Sequence, residues 1–152
     1  VWPPTTYMAL RGLTRAGEDA LAHRIARRHH DAVVATFAAT GTIWENYAPE
    51  APTQGNAARP DFVGWGGLGP IAVLLEYVFG LRADPPTRRL VWDVRLLEGH
   101  GVERYPFGPD GSVDLWCAPR AAAHERPVVS VRASLPIVVE LRWAGGAAIL
   151  EL

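Results

Sequence analysis

The sequence contains no lysine, one cysteine and one methionine in 152 residues. Its 15 cationic side chains are therefore all arginine, and against 16 acidic residues they leave a net charge of −1. That balance gives no basic surface to hold a nucleic acid, so none is expected as a partner. A lone Cys117 excludes an intramolecular disulfide, and nothing requires an oxidising compartment; the expected location is cytoplasmic. No apolar run approaches membrane-spanning length, no charged start precedes one, and no membrane partner is expected. Repeats of solenoid length and low-complexity tracts are also missing. The chain begins with Val1 and its sole methionine is Met8, which fits a processed start or a piece of a longer polypeptide.

What is there divides by period. Pro3-Pro4 suits a helix start, since proline at the first helical position loses no hydrogen bond, and Thr5 to Leu13 then reads as a short helix. A second helix is expected from about Arg15 to Phe37, with Leu21, Ile25, Ala32, Val33 and Phe37 on its apolar side and Arg24, Arg27, Arg28, His30 and Asp31 on its polar side. Ala39-Thr40-Gly41 stops it. Residues 42–66 are too rich in glycine and proline for a regular element and read as an extended loop, of a length that is usually functional. Gly69-Pro70 opens a third helix, apolar on nearly all sides through Ile71, Leu74, Leu75, Val78 and Phe79, and Gly80 closes it.

After Ala83-Asp84-Pro85-Pro86 the period becomes alternating. Leu90 to Leu96, Val113 to Cys117, Val129 to Ala133, Ile137 to Trp143 and Ala148 to Leu152 read as strands of a small antiparallel sheet with one buried face. Asp93, Asp114 and Glu140 fall on its outward side. Glu98-Gly99-His100-Gly101 reads as one of the turns. The expected fold class is α+β, with a helical part over residues 1–84 and a β module over 85–152.

The chemistry gathers in Trp44-Glu45-Asn46-Tyr47 and in Asp61-Phe62-Val63-Gly64-Trp65-Gly66-Gly67. A carboxylate between aromatic rings is a sugar-binding pattern. Ring faces cover the apolar C–H face of a pyranose, amides and carboxylates bind its hydroxyls, and a partly dry carboxylate can serve as acid or base. Read from the local residues alone, Glu45 can equally be a loop carboxylate that caps a helix or pairs with an arginine, and Trp44, Tyr47 and Trp65 can be core. Gly64 to Gly69 satisfies G-x-G-x-x-G, but the polar loop before it and the antiparallel pattern after it deny a dinucleotide site. Arg27-Arg28-His29-His30 is expected to be a solvated helix face, because adjacent helical residues point apart and cannot converge on one ion. No metal and no cofactor is expected.

WENYAPE followed by DFVGWGGLGPIAVLLEYVFG resembles the closing motif of the (α/α)6-toroid glycoside hydrolases, a group that includes trehalases, processing α-glucosidases and mannosylglycerate hydrolase-like enzymes. Val1-Trp2-Pro3-Pro4-Thr5-Thr6-Tyr7 looks like that group's W-x-P-x-x-Y segment. The resemblance covers residues 1 to about 80. It implies that Glu45 is the general base of an inverting mechanism on α-glycosidic bonds, and that Trp2, Tyr7, Trp44, Tyr47, Asp61, Trp65 and Gly66 contact an oligosaccharide or disaccharide. Asn46 and Arg59 are the candidates to keep Glu45 ionised. The group's general-acid aspartate lies far upstream of these motifs, so the resemblance also implies an upstream part of the toroid as partner, in the same or a separate chain. By itself the present chain is then expected to be inactive and to expose apolar surface. Two other readings remain at this point: a non-catalytic carbohydrate-binding remnant, and a structural or partner-docking domain.

Overall fold

A computed structural model describes residues 1–152. They form two units, Val1–Val78 and Phe79–Leu152. The division precedes the boundary read from the sequence, because Leu81–Asp84 is a strand of the second unit, paired antiparallel with Arg89–Asp93.

In the first unit, helix α1 spans Pro3–Arg15 and starts directly on the two prolines, after an extended Trp2. Helix α2 spans Asp19–Thr40 and ends on Gly41, whose φ of 73° gives the left-handed cap that glycine adopts without steric cost. Its buried stripe is Ala22, Ala26, His29, Val33 and Thr36, at spacings of four, three, four and three. This corrects the face read from the sequence: Ile25 and Phe37 are 37% and 47% exposed. Small residues replace them on the inner side because the next helix packs closely there. A Cβ on Gly69 would lie 3.5 Å from the Val33 side chain and 3.7 Å from Nε2 of His29. His29 therefore departs from the expected solvated face; it belongs to the core stripe.

A single turn, α3, spans Val63–Gly66. The expected third helix is present over Gly69–Val78, but it is wound as a π-helix, a form rare at this length. The wider winding begins where the N–H of Val73 reaches back five residues to the carbonyl of Leu68, at 2.8 Å. Val73, Tyr77 and Val78 face inward while Ile71 is exposed. No helix is long and apolar enough to cross a membrane.

The second unit holds seven strands: β1 Leu81–Asp84, β2 Arg89–Asp93, β3 His100–Phe107, β4 Gly111–Cys117, β5 Val129–Ala133, β6 Val138–Trp143 and β7 Gly146–Glu151. They make two sheets, β1-β2-β6-β7 and β3-β4-β5, in place of the single antiparallel sheet expected. The pair β2–β6 is parallel. A parallel pair needs a long crossover, and β3, β4 and β5 supply it as a sheet of their own. Both sheets bury residues in one apolar cluster, among them Leu90, Trp92, Val139 and Leu141 from the first and Phe107, Val113 and Leu115 from the second. His100, read as part of a turn, starts β3 and meets the Phe79 ring at a tilt and the Trp92 ring edge to face. Asp93, expected outside, is buried; its carboxylate takes the Arg95 guanidinium at 2.8 Å. Glu140 does lie nearer the surface, between Arg142 at 2.7 Å and Arg89 at 3.7 Å.

Two glycines separate conformational need from mere presence. Gly80 has φ 77° and a Cβ there would fall 2.1 Å from the Asp93 carbonyl oxygen, whereas Gly12 in α1 has open space around it. Gly80→Ala is expected to cost about 2 kcal/mol or more, and Gly12→Ala to add up to about 1 kcal/mol. Urea unfolding of the two variants against the parent checks both signs.

His29 generates a pH effect of known sign. Burial, followed by the nearby His30 and the Val1 ammonium, lowers its pKa from 6.5 to about 4. As pH falls, the unfolded chain takes up this proton near 6.5 while the folded chain waits until about 4, so stability is lost across that interval and is fully retained above it. At about 1.4 kcal/mol per pH unit the loss is about 3 kcal/mol. His29→Phe should flatten this part of the stability profile, read from denaturant midpoints at a series of pH values between neutrality and 4.

Candidate functional site

Residues 42–62 link α2 to α3, and their two legs are held together almost throughout. At the base, the Thr42 hydroxyl donates to the Asp61 carboxylate at 2.7 Å and accepts from the Asp61 N–H at 2.9 Å. Above it the N–H of Phe62 donates to Ile43 O, that of Glu45 to Arg59 O, that of Gly55 to Asn46 O and that of Ala48 to Thr53 O, all at 2.9–3.0 Å. Tyr47 and Gln54 form a bridge pair between the legs. The expected loop is therefore irregular in conformation but closed by its own backbone bonds, which is how such a segment satisfies its polar groups without a regular sheet.

Tyr47 fastens this loop to the helices. Its N–H donates to the Val1 carbonyl at 3.0 Å, and the Val1 ammonium donates to its carbonyl in return. Its ring meets His29 edge to face, and its hydroxyl accepts the Trp44 N–H at 3.2 Å. With 2% exposure, Tyr47 is closed off from solvent. Asn46 is buried as well, and a Cβ on Gly55 would overlap its amide oxygen.

Glu45 stands beside Tyr47 with its main chain held on both sides. Its N–H is spent on Arg59 O, and its carbonyl accepts the Trp65 indole N–H at 3.0 Å. Trp65 in turn is the middle of an aromatic row: the Trp2 ring lies 6.1 Å away at 61°, and the Phe62 ring 4.8 Å away at 49°. Trp2 and Trp65 remain 46% and 39% exposed. Trp44 points its indole N–H to the Thr40 hydroxyl at the end of α2, at 3.0 Å. Gly66 is buried beneath this group; a Cβ there would lie 2.7 Å from the Ile43 side chain and 3.2 Å from the Trp44 carbonyl. The half-buried Glu45 carboxylate has no hydrogen-bond or ion-pair partner in the protein. Neither the Asn46 amide nor the Arg59 guanidinium reaches it.

Of the residues singled out in the sequence, Trp2, Glu45, Trp65 and, through the loop ladder, Trp44 come together. Asp61 acts at the loop's base, on Thr42. Tyr7 faces another way: its hydroxyl lies 2.8–2.9 Å from both carboxylate oxygens of Glu76, and its ring meets Tyr77 edge to face. Arg11 sits over the same ring at 5.9 Å. Burial and the Glu76 carboxylate raise the Tyr7 phenol above its ordinary value, so it stays a hydrogen-bond donor to Glu76. Phe62, Thr40 and Val1 were not marked by their sequence pattern, although Phe62 stood within a motif already quoted. A separate cleft of about 550 Å³ opens between α2 and the loop, with His29, Tyr47 and Glu50 on its walls. Glu45 does not border it.

Chemically, the arrangement offers a half-buried carboxylate without a protein partner on a residue whose carbonyl is bonded to the exposed Trp65, itself beside Trp2, in a loop whose main chain is held by its own hydrogen bonds. This is what a proton acceptor beside a sugar ring requires. It holds no group of three or more His, Cys, Asp or Glu side chains placed to take a metal ion.

No curated protein and no solved structure matches the chain. Residues 1–70 match the family model described as Trehalase, a stretch that lies wholly within the first unit and carries Trp2, the Glu45 loop and Trp65. This stretch is thus similar to trehalase-family glycoside hydrolases.

Proposed function

We propose that the Val1–Val78 unit supplies the base side of an inverting α-glycoside hydrolase site of the (α/α)6-toroid kind, with Glu45 as the general base. The observation that carries this reading is the state of Glu45: backbone anchored at both its N–H and its carbonyl, carboxylate without a protein partner, and the Trp2–Trp65 pair alongside. A structural carboxylate would spend its oxygens on a cap or an arginine, as Glu140 does in the second unit.

In such a reaction the carboxylate removes a proton from a water molecule as that water attacks the anomeric carbon, while an acid on the opposite side of the ring protonates the departing oxygen. The two carboxyl groups stand roughly 6.5–9.5 Å apart to leave room for the water. The acid is carried by another part of the complete enzyme. Trp2 and Trp65 cover a face of the sugar, and the Trp65 bond to the Glu45 carbonyl keeps the base at a fixed height above it. The substrate class is an α-linked glucoside, trehalose included.

Two substitutions in the complete enzyme test the reading. Glu45→Gln keeps the shape and removes the proton acceptor, so kcat should fall by about two to four orders of magnitude with the fold intact. Near-parental turnover would overturn the assignment. Trp65→Phe keeps an aromatic ring but deletes the N–H on the Glu45 carbonyl; a fall of about tenfold in kcat, equal to about 1.4 kcal/mol in the barrier, is expected. The assay is release of glucose from trehalose and from an aryl α-glucoside.

A further inference from the structure

The outer face of the β3-β4-β5 sheet carries a second aromatic group, which has no part in any role assigned above. Trp116 on β4 is 55% exposed. Its cross-strand neighbours are Gly101 on β3 and Ser130 on β5, and the next outward row pairs Asp114 with Arg132. Gly101 lets the indole lie down against the strand: a Cβ there would be 2.9 Å from the Trp116 ring and 2.2 Å from the Leu115 carbonyl. An aromatic covering a strand glycine is itself a known way to stabilise a sheet. That accounts for the ring's posture, but not for the groups around it.

Those groups are unspent. Between Val102 and Tyr105 the β3–β4 register shifts, and Arg104 adopts φ 52°. The bulge turns the Arg104 N–H onto Oδ1 of Asp114 at 2.8 Å, which fixes that carboxylate and leaves its other oxygen open. Glu103, Ser130 and Arg132 have side chains without any protein partner. With Trp116 and Gly101 they border a concavity of about 400 Å³.

We infer that this face is a carbohydrate-binding surface for a neutral oligosaccharide, with Trp116 as the platform for one pyranose ring. The charge pattern selects the ligand: Glu103 and Asp114 repel an anion, Arg132 repels a cation, and together with Ser130 they offer both acceptors and donors to a polyhydroxylated neutral molecule. The indole takes the C–H face of the ring, which no purely polar surface could. Asp114, held by the Arg104 N–H, and the Arg132 guanidinium opposite it each bind hydroxyls at the ring edge. This site does not depend on Glu45, and its test does not involve hydrolysis.

The test is a titration of the full chain with maltotriose and with cellotriose, followed by the indole N–H signals in a proton–nitrogen correlation spectrum. The Trp116 signal should move with a Kd of about 1 mM. Trp116→Ala should abolish the sugar-induced shifts of the neighbouring Gly101 and Ser130 amides and Arg132→Ala weaken binding at this face about tenfold, while Glu45→Gln leaves it unchanged. Because Trp116 also covers Gly101, the alanine variant should lower the urea midpoint without unfolding the chain, whereas Arg132→Ala with Ser130→Ala leaves the ring in place and should weaken binding at the parental midpoint. A Trp116 signal that stays still with both sugars, or sugar-induced shifts of the Gly101 and Ser130 amides that survive Trp116→Ala, overturns the inference. So does concentration-dependent self-association that Trp116→Ala removes, which would make the face a contact between copies.

Discussion

The hydrogen bond from the Trp65 indole to the Glu45 carbonyl is the joint on which the first unit's site depends. Most of the nineteen residues between these two are a loop, and a loop positions a side chain only as well as its backbone is held. Here the ladder from Thr42–Asp61 to Ala48–Thr53 removes the freedom of the two legs relative to each other. The Tyr47 bonds to Val1 then tie the ladder to the start of α1, and the Trp65 bond ties it to α3. Loss of the last would leave the loop closed on itself but free to tilt against Trp2 and Trp65.

Glycine permits the close approaches that this anchoring needs. Gly66 lets α3 press against Ile43 and Trp44, and Gly69 lets the π-helix settle on His29 and Val33 of α2. The same inner stripe accounts for a histidine held neutral in a helix core: with small residues on either side along the stripe, His29 fills volume between Gly69 and Tyr47. In the second unit the corresponding constraint is Gly80, whose left-handed backbone directly before β1 leaves no room for a side chain beside Asp93.

The carboxylates of this chain differ in how far the protein engages them. Glu140 and Glu76 have both carboxylate oxygens engaged, by arginines and by the Tyr7 hydroxyl, while Asp93 engages one, on Arg95. Glu45 and Glu103 engage neither, and each lies near an exposed tryptophan, Trp65 and Trp116 respectively.

Local chemistry was sufficient for the sequence to determine the two α-helices, the glycine stop at Gly41, five of the seven strands and the α+β class, because caps, prolines and alternation act over a few residues. The motif residues Trp2, Glu45 and Trp65 were legible too, since their types and order carry the resemblance. Only the tertiary structure decided which face of α2 is buried, because Ala22 and Ala26 lie inside for want of room, while the larger Ile25 and Phe37 stay out. It decided the parallel pairing of β2 with β6, which joins residues about fifty apart and leaves no mark on either strand's own pattern. It placed β3 where the bulge at Glu103-Arg104 breaks the alternation, and put Tyr7 on Glu76 instead of beside Glu45. Sequence periodicity reports a residue's own element; what stands opposite that element is set by packing volume and register, which no single stretch of sequence contains.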